Sequence, residues 1–276
     1  MSAAIFDPYA PMVATSRHQF LYALNPLAKV AGLAPAMVLL MFVRDLATPA
    51  AFLVLGYALI LSGARMTARV LVILLLAVPV GMAAIGLGFS LWVDAGLVHD
   101  TAPLVQIGDW TLFAGALQIG FATALRLGAI IALALVGGLT TSGPDLVRSS
   151  VQQLRVPYRI GYTALAAFRF VPRFGHELSV IRAAHRVRGH HGGRGPFARI
   201  ARGWGYIVPL LAGAIRHAER VALAMDSRAF GAHPTRTERH LVPFRARDTV
   251  FIVLCLAASA LIFFVFFPWQ LPGKAS

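Results

Sequence analysis

The sequence has a single cysteine and few acidic residues. Because Cys255 is alone, the chain cannot form an intrachain disulfide or a multi-cysteine metal site. No stretch matches the Gly-x-x-x-x-Gly-Lys-Ser/Thr phosphate loop, so we expect the chain not to bind ATP in that way. The six acids of residues 140–248 are scattered, without the spacing of metal ligands. These shortages argue against an enzyme.

Apolar residues are abundant. The chain is 58% hydrophobic and 13% charged, with a mean hydropathy of +0.72, which exceeds the values of soluble domains. We therefore predict an all-α integral membrane protein with about five transmembrane helices, since a span needs about 20 apolar residues. The apolar stretches lie at 27–43, 47–63, 70–93, 112–139 and 249–267.

The start of the first span carries helix-start signals. Asn25 can cap the helix and Pro26 suits its first position, while we expect Lys29 to extend back to the lipid headgroups. Residues 1–20 lack the apolar run of a cleavable signal peptide, so the first span should be retained.

The basic residues are concentrated in one segment. Residues 140–248 hold 18 of the 25 Lys and Arg side chains and 6 of the 11 acids, a formal +12, whereas the loop 94–111 has no basic residue. The positive-inside rule then places the N-terminus and residues 140–248 in the cytoplasm, and the C-terminus outside.

This pattern predicts three parts. Residues 1–139 form an N-terminal segment with four spans, residues 140–248 a cytoplasmic helical insert, and residues 249–276 the last span with an external tail. A basic insert can bind nucleic acid, anionic lipid or an acidic protein. Aromatic residues are not interleaved with the arginines, which argues against nucleic acid, while anionic headgroups should neutralise part of the charge.

The insert has three predicted helices. Polar and proline residues at 140–145 predict the start of a short amphipathic helix that ends before Pro157. A second helix is predicted after Pro172 and stops at Gly189, and a third runs from near Tyr206 to about Gly231.

The second and third helices end alike. Arg188 and Arg228 each follow an alanine one turn earlier and precede a small residue, so a partner surface can approach closely while the guanidinium projects into it. An acidic groove is the natural receptor. Taken singly, each arginine could simply complement the negative end of its helix dipole.

Four segments carry a family resemblance: "LNPLAKV" (24–30), "LRLGAIIALALVGGLTTSGPDL" (125–146), "FRFVPRFGHELSVIRAAHRVRG" (168–189) and "ALAMDSRAFGAHPTRT" (222–237). Together they resemble the transmembrane T component of energy-coupling factor (ECF) transporters, the EcfT or CbiQ-like proteins. These proteins belong to prokaryotic importers of vitamins and transition metals in the cell membrane, with cobalt, nickel and biotin among the substrates.

The resemblance implies two docking motifs for a pair of ABC-type ATPases, which bind the ATP and magnesium themselves, so that this chain needs no cofactor. The family pattern is Ala-Arg-Gly. The matching residues here are Val187, Arg188, Gly189 and Ser227, Arg228, Ala229. Both motifs keep the arginine, but Val replaces Ala in the first, and Ser and Ala replace Ala and Gly in the second.

The resemblance also implies mechanical coupling. Apolar side chains of the two helices would pass ATPase motion to a separate substrate-binding membrane subunit, the S component. These packing residues are Leu178, Ile181, Leu211 and Met225.

Three alternatives remain beside this interpretation. The chain could be a stand-alone membrane enzyme or transporter with a basic cytoplasmic face. His185, His190 and His191 suggest a metal site, but the neighbouring arginines would repel a cation, so we predict none. Arg126, inside the fourth span, is a functional candidate, although we expect it to bind carbonyls of the third span near Pro79 to Gly88.

Overall fold

The computed structural model describes residues 19–94, 96, 98, 101–107, 110–189, 195–234 and 236–267. The chain divides into two compact units. We call Ser142–Val242 the arginine-rich unit, and the remaining described residues, 19–141 and 243–267, the apolar unit.

Within the described residues, five apolar helices build the apolar unit, at the places that the sequence predicts. Three are long and apolar enough to cross a membrane, and two are shorter. The long ones are Val70–Trp92, Ala114–Thr140 (α5) and Ala246–Phe266 (α9), and the short ones are Pro26–Leu40 (α1) and Ala47–Gly63 (α2). The prediction of an all-α membrane protein is confirmed. The start of α1 is also as predicted, because the Asn25 side chain accepts the Leu27 N–H at 3.0 Å.

The third apolar helix is not uniform. It consists of α3 (Ala68–Val72), a π turn (Ile73–Ala77) and α4 (Val78–Trp92). Pro79 has no N–H to donate to the preceding turn, and wider turns are a common accommodation at such points. The Tyr57 hydroxyl donates to the Leu74 carbonyl at 2.6 Å inside the π turn. A side chain of α2 thus donates a hydrogen bond to a backbone carbonyl that the irregular turn leaves accessible.

A short hairpin precedes α5 and was not predicted. Strand β1 (Pro103–Ile107) pairs antiparallel with β2 (Trp110–Phe113). Both strands contain β-branched or aromatic residues, which favour extended backbone. The sequence pattern predicts only a loop at 94–111.

Helix α5 lies at the centre of the apolar unit. It packs against α1, α2 and α4, and its small residues allow close approach. An added Cβ at Gly56 of α2 would lie 3.0 Å from the Ala132 Cβ, and one at Gly32 of α1 would lie 3.3 Å from the Cys255 Cβ of α9. Close packing of small residues is the usual basis of helix association in membranes.

Two charged residues of the apolar unit differ from their predicted roles. Lys29 does not reach toward headgroups: it is 1% exposed and binds Thr140 and Thr141 at the end of α5. Arg126 does not bind the third span: its Nη1 donates to the Val43 carbonyl at 3.1 Å. Arg126 binds the Val43 carbonyl because α1 is short. The 15 residues of α1 rise only about 22 Å, less than the roughly 30 Å of a bilayer core. Carbonyls after this short helix need an internal donor.

The arginine-rich unit consists of α6 (Gly143–Gln153), α7 (Tyr158–Val187) and α8 (Pro196–Asp226). The predicted start of α6 is confirmed, because the Ser142 Oγ accepts the Asp145 N–H at 3.2 Å. Glutamine side chains of α6 hold the returning chain: Gln153 donates to the Val242 carbonyl at 2.9 Å, and Gln152 to the His240 carbonyl at 2.8 Å.

The predicted starts of the two long helices are wrong. Helix α7 does not begin after Pro172 but runs through it, since the loss of one backbone hydrogen bond is offset by the packing of Phe170, which contacts Phe174 and stacks on His217 of α8. Helix α8 begins ten residues before Tyr206, at Pro196, with Gly195 as the N-cap residue. Proline fits the first helical position because its fixed φ suits a helix and its missing N–H is not needed there.

Helices α7 and α8 are antiparallel. Phe170 stacks on His217 with ring centroids 4.6 Å apart, and His185 contacts Tyr206 edge to face at 5.3 Å. Increasing residue numbers along α7 are thus paired with decreasing residue numbers along α8. The C-terminal ends of the two helices therefore lie at opposite ends of the pair.

Candidate functional site

The first predicted docking motif forms the end of α7. Arg188 is the C-cap residue, and its N–H donates to the Ala184 carbonyl at 3.1 Å. Gly189 has a φ of +75° and donates its N–H to the Arg186 carbonyl at 3.1 Å. This left-handed residue turns the chain away from the helix axis. Val187 is 89% exposed, so the motif protrudes from its unit.

The second motif ends α8 with the same backbone geometry. The Ala229 N–H donates to the Asp226 carbonyl at 2.9 Å, and the Phe230 N–H to the Met225 carbonyl at 3.0 Å. These two bonds define a Schellman motif, in which Arg228 occupies the cap position, one residue beyond the helix C-cap Ser227, and Ala229 is the left-handed residue. The φ of Ala229 is +53°, an uncommon value for a residue other than glycine.

The two arginines thus occupy equivalent positions. Each is the last residue before a left-handed turn, each is exposed, and neither has an acidic partner among the described residues. The 30 residues of α7 rise about 45 Å at roughly 1.5 Å per residue, so the antiparallel pair holds the two guanidinium groups tens of ångströms apart. One compact partner surface cannot easily contact both, whereas two partners can.

The surroundings of the two ends differ. The turn after Arg228 packs on the first half of α7: the Phe230 ring lies 5.7 Å from that of Tyr158 and 6.2 Å from that of Tyr162. The Arg236 guanidinium sits over the Tyr162 ring at 4.5 Å. The Tyr158 hydroxyl donates to the His233 carbonyl at 2.6 Å, and Arg159 to the Gly231 carbonyl at 2.6 Å. The second end is therefore braced by α7.

A cavity of about 730 Å³ opens beside the second end. Its apolar part comes from Leu165, Phe170, Val221 and Met225, and its basic part from Arg148, Arg169, Arg228, Arg236 and Arg239. Glu238 is the one acid among the described residues that line it. The cavity is consequently basic and suits an acidic side chain or segment that approaches Arg228.

Tyr162 lines this cavity, and the pKa of its phenol departs from its ordinary value. Burial raises the pKa of its phenol above 10.0, and the hydrogen bond to Glu238, 2.9 Å long, and the charge of that carboxylate raise the pKa further. The positive charges of Arg236 and Arg148 lower it in part. The phenol is therefore neutral at physiological pH and remains a hydrogen-bond donor to Glu238.

Comparison with known proteins assigns the chain to a family. The model of the CbiQ family, described as a cobalt transport protein, matches residues 17–239. The chain belongs to this family. It is accordingly a transmembrane component of ECF transporters, a multi-pass protein of the cell membrane.

Relatives of this CbiQ-family chain include ECF transporter transmembrane proteins and an ATP-binding protein. It is 27% identical to the ECF transporter transmembrane protein EcfT of Bacillus subtilis over 61% of the chain and 67% of the relative, and 32% identical to EcfT of Thermotoga maritima over 51% and 54%. A putative ABC transporter ATP-binding protein of Bifidobacterium longum is 30% identical over 87% of the chain. The chain spans about two thirds of the Bacillus protein and 32% of the Bifidobacterium protein.

The predicted packing residues of the CbiQ-family chain differ in their burial. Leu178 and Ile181 are half-buried on α7, Met225 is half-buried in the cavity, and Leu211 is 55% exposed on α8. Sequence reasoning missed a longer exposed apolar stripe on α8 that contains Leu211, although its spacing of three or four residues was visible. The stripe, called the α8 stripe below, consists of Ile200, Trp204, Val208, Leu211 and Ile215.

Sequence reasoning also missed the aromatic brace. Phe230 is 72 positions from Tyr158 and 68 from Tyr162, and no short motif connects it to them. Of the histidines considered for a metal, His190 and His191 lie outside the described residues, whereas His185 packs on Tyr206. In the described part of the chain, no group of three potential ligands is close enough to hold a metal ion.

Proposed function

We propose that this chain is the coupling subunit of an ATP-driven ECF-type importer, and that Arg188 and Arg228 each engage one of two ABC-type ATPase subunits. The observation that carries the proposal is the matched geometry of the two helix ends. Both arginines cap a helix before a left-handed turn, both lack an acidic partner among the described residues, and they lie at opposite ends of one helix pair.

The chemistry of the ends supports docking into acidic grooves. A guanidinium presents a planar set of donors to a carboxylate, and a charge-assisted hydrogen bond contributes about 1.5–3 kcal/mol. Each arginine directly precedes a left-handed residue and is exposed, so its side chain is accessible to a partner. Two such ends on one rigid pair would act together, which increases the overall affinity without new contacts.

The partnership with ATPases has a second support. The Bifidobacterium relative is named an ATP-binding protein, yet only 32% of its length corresponds to this chain. This chain itself has no phosphate loop in its sequence. We therefore infer that ATP and magnesium bind to partner subunits, that this chain needs no cofactor, and that it transmits the motion of these partners.

The other end of the transmission would be a substrate-binding S component. The α8 stripe is an apolar surface of the kind that marks a protein or membrane contact. We propose that the S component contacts this stripe through Leu211 and its neighbours, while Leu178, Ile181 and Met225 pack within the unit. The cargo would be a vitamin or a transition-metal ion, such as biotin, cobalt or nickel.

The orientation follows from charge. We propose that the N-terminus and the arginine-rich unit face the cytoplasm, where anionic headgroups neutralise part of the positive charge, and that the C-terminus faces outward. The ATPases would then meet the two arginine ends in the compartment that holds ATP.

Co-purification tests this function. The tagged protein is isolated in mild detergent from its native membrane as wild type, Arg188→Glu, Arg228→Glu and the double variant, and bound proteins are identified by mass spectrometry. The matched controls are Arg186→Glu and Arg220→Glu, since both arginines are exposed on the same helices but are not caps. We expect each cap variant to lose ATPase and the double variant to lose both copies, because loss of one partner of a buried charge pair costs about 2–5 kcal/mol.

Two results would reject the proposal. One is a wild-type preparation without any ABC ATPase, which would favour a stand-alone membrane enzyme or transporter. The other is full recovery of ATPase with the double variant, which would place docking elsewhere on the chain.

A further inference from the structure

The first turn of α1 holds a buried cation. Lys29 is 1% exposed, and its ammonium group donates to the Thr140 carbonyl at 2.8 Å, to the Thr140 hydroxyl at 3.0 Å and to the Thr141 hydroxyl at 3.0 Å. Three donors thus meet three acceptors at the C-terminal end of α5. That end carries unsatisfied carbonyls and the negative pole of the helix dipole, both of which favour a cation.

The same turn also holds a buried acid. The Asn25 N–H donates to the Asp248 Oδ1 at 2.7 Å, and the Arg245 N–H donates to the Oδ2 at 2.7 Å. Asp248 is 1% exposed and lies in the first turn of α9. One helical turn, Asn25 to Lys29, therefore binds the last turn of α5 and the first turn of α9.

Within the described residues, the chain passes between its units at these two helix ends. It leaves the apolar unit after Thr141 and returns at Pro243, five residues before Asp248. The partners of this turn are far away in sequence: Lys29 and Thr140 are 111 positions apart, and Asn25 and Asp248 are 223 apart. Within the described residues, these two segments are the covalent connections between the units.

A buried charge is a weak device for stability alone, because well-packed apolar residues often replace one without loss. The three hydrogen bonds of Lys29 instead fix the position of the backbone at the end of α5. We propose that Lys29 is a positioning residue for coupling: it holds the end of α5 rigid, so that motion of the arginine-rich unit moves the membrane helices instead of bending the junction at Thr141. This inference rests on the proposed coupling function.

The test uses the full complex with its ATPases and follows hydrogen–deuterium exchange by mass spectrometry, with and without a non-hydrolysable ATP analogue. No substrate is needed. The variants are Lys29→Met, which keeps the stem and removes the donors, and Thr141→Val, which removes one acceptor. The controls are Thr141→Ser, which keeps the hydroxyl, and Arg44→Met, which removes an exposed cation of the same unit.

In the wild type, Arg44→Met and Thr141→Ser, we expect the analogue to change exchange in both units. In Lys29→Met, the exchange response to the analogue should persist within 142–242. The exchange response of α5 and α9 should fall at least threefold in this variant, and by a smaller factor in Thr141→Val. An unchanged response of α5 and α9 in Lys29→Met, or no response there in the wild type, would overturn the inference.

If Lys29→Met fails to assemble with the ATPases, Thr141→Val tests the inference instead. An unchanged exchange response of α5 and α9 in Thr141→Val would then overturn the inference. A wild-type preparation that lacks ATPases would instead reject the proposed function itself.

Discussion

Ala229 offers the sharpest test of the matched helix ends. Its φ is +53°, whereas its counterpart Gly189 has a φ of +75°. A left-handed backbone costs a residue with a Cβ about 1–2 kcal/mol. Glycine removes this cost but loses roughly 0.5–1 kcal/mol through the greater freedom of the unfolded chain. Ala229→Gly should therefore stabilise the end of α8 by about 0.5–1 kcal/mol.

The reverse change at the first end should do the opposite. A Cβ added at Gly189 would meet nothing within 4 Å, so that Gly189→Ala introduces no clash. Its effect is confined to the backbone, and we expect a loss of about 0.5–1 kcal/mol. These two substitutions exchange the residues of the two ends. We therefore expect changes in the local stability of the helix ends that are equal in size and opposite in sign.

Local hydrogen exchange measures these shifts directly, because opening of a helix end is a local event. The Phe230 N–H, which donates to Met225, reports on α8, and the Gly189 position reports on α7. A change of about 0.5–1 kcal/mol alters the protection of an amide by a factor of roughly 2–5. Rates are corrected for the intrinsic exchange of each new sequence.

The matched control is Ala222→Gly, the same chemical change at an exposed residue within α8. Here glycine relieves no strain and should destabilise by about 0.5–1 kcal/mol. If Ala229→Gly weakened protection as Ala222→Gly does, Ala229 would not adopt the left-handed conformation, and the equivalence of the two ends would be refuted.

Two further predictions concern the arginine-rich unit. Gly161→Ala should destabilise the contact of α6 with α7 by about 1–3 kcal/mol, because its Cβ would clash with a Val151 methyl group, whereas Gly175→Ala in the same helix has open space and should stabilise by about 0.5–1 kcal/mol. Equal effects in an amide-exchange measurement on α6 and α7 would contradict this packing. The raised pKa of Tyr162 means that its contribution to stability is present below pH 10 and is lost as the pH rises through the folded-state pKa. Tyr162→Phe should therefore reduce the alkaline loss of protection around Phe230, and an identical alkaline profile in wild type and variant would refute the assignment.

The helix starts show how far local patterns reach. Asn25, Pro26 and the Ser142 to Asp145 stretch were correctly interpreted, because a cap acts on its own turn. Pro172 was misinterpreted, since its local cost was overcome by contacts with α8, 45 positions farther along the chain at His217. Local signals fail where a distant contact supplies more free energy than the local preference removes.

The charged residues of the spans show the same limit. Composition marks Lys29 and Arg126 as unusual, but not which carbonyl each one binds. The partners, Thr140 and Val43, depend on the antiparallel alignment of α5 with α1 and the residues that follow α1. Lys29 and Val43 are 14 positions apart, and so are Arg126 and Thr140. That alignment is a tertiary property, as is the brace of Phe230 by Tyr158 and Tyr162.

The sequence by itself determined the membrane character, the five apolar helices, the concentration of positive charge and the two arginine motifs, because these depend on composition and on neighbours within one or two turns. Tertiary structure alone decided that the two motifs end an antiparallel pair, that one end is braced beside a basic cavity, and that a single turn of α1 binds both junctions between the units. Each of these depends on which surfaces pack together, and packing is decided by the whole set of competing contacts.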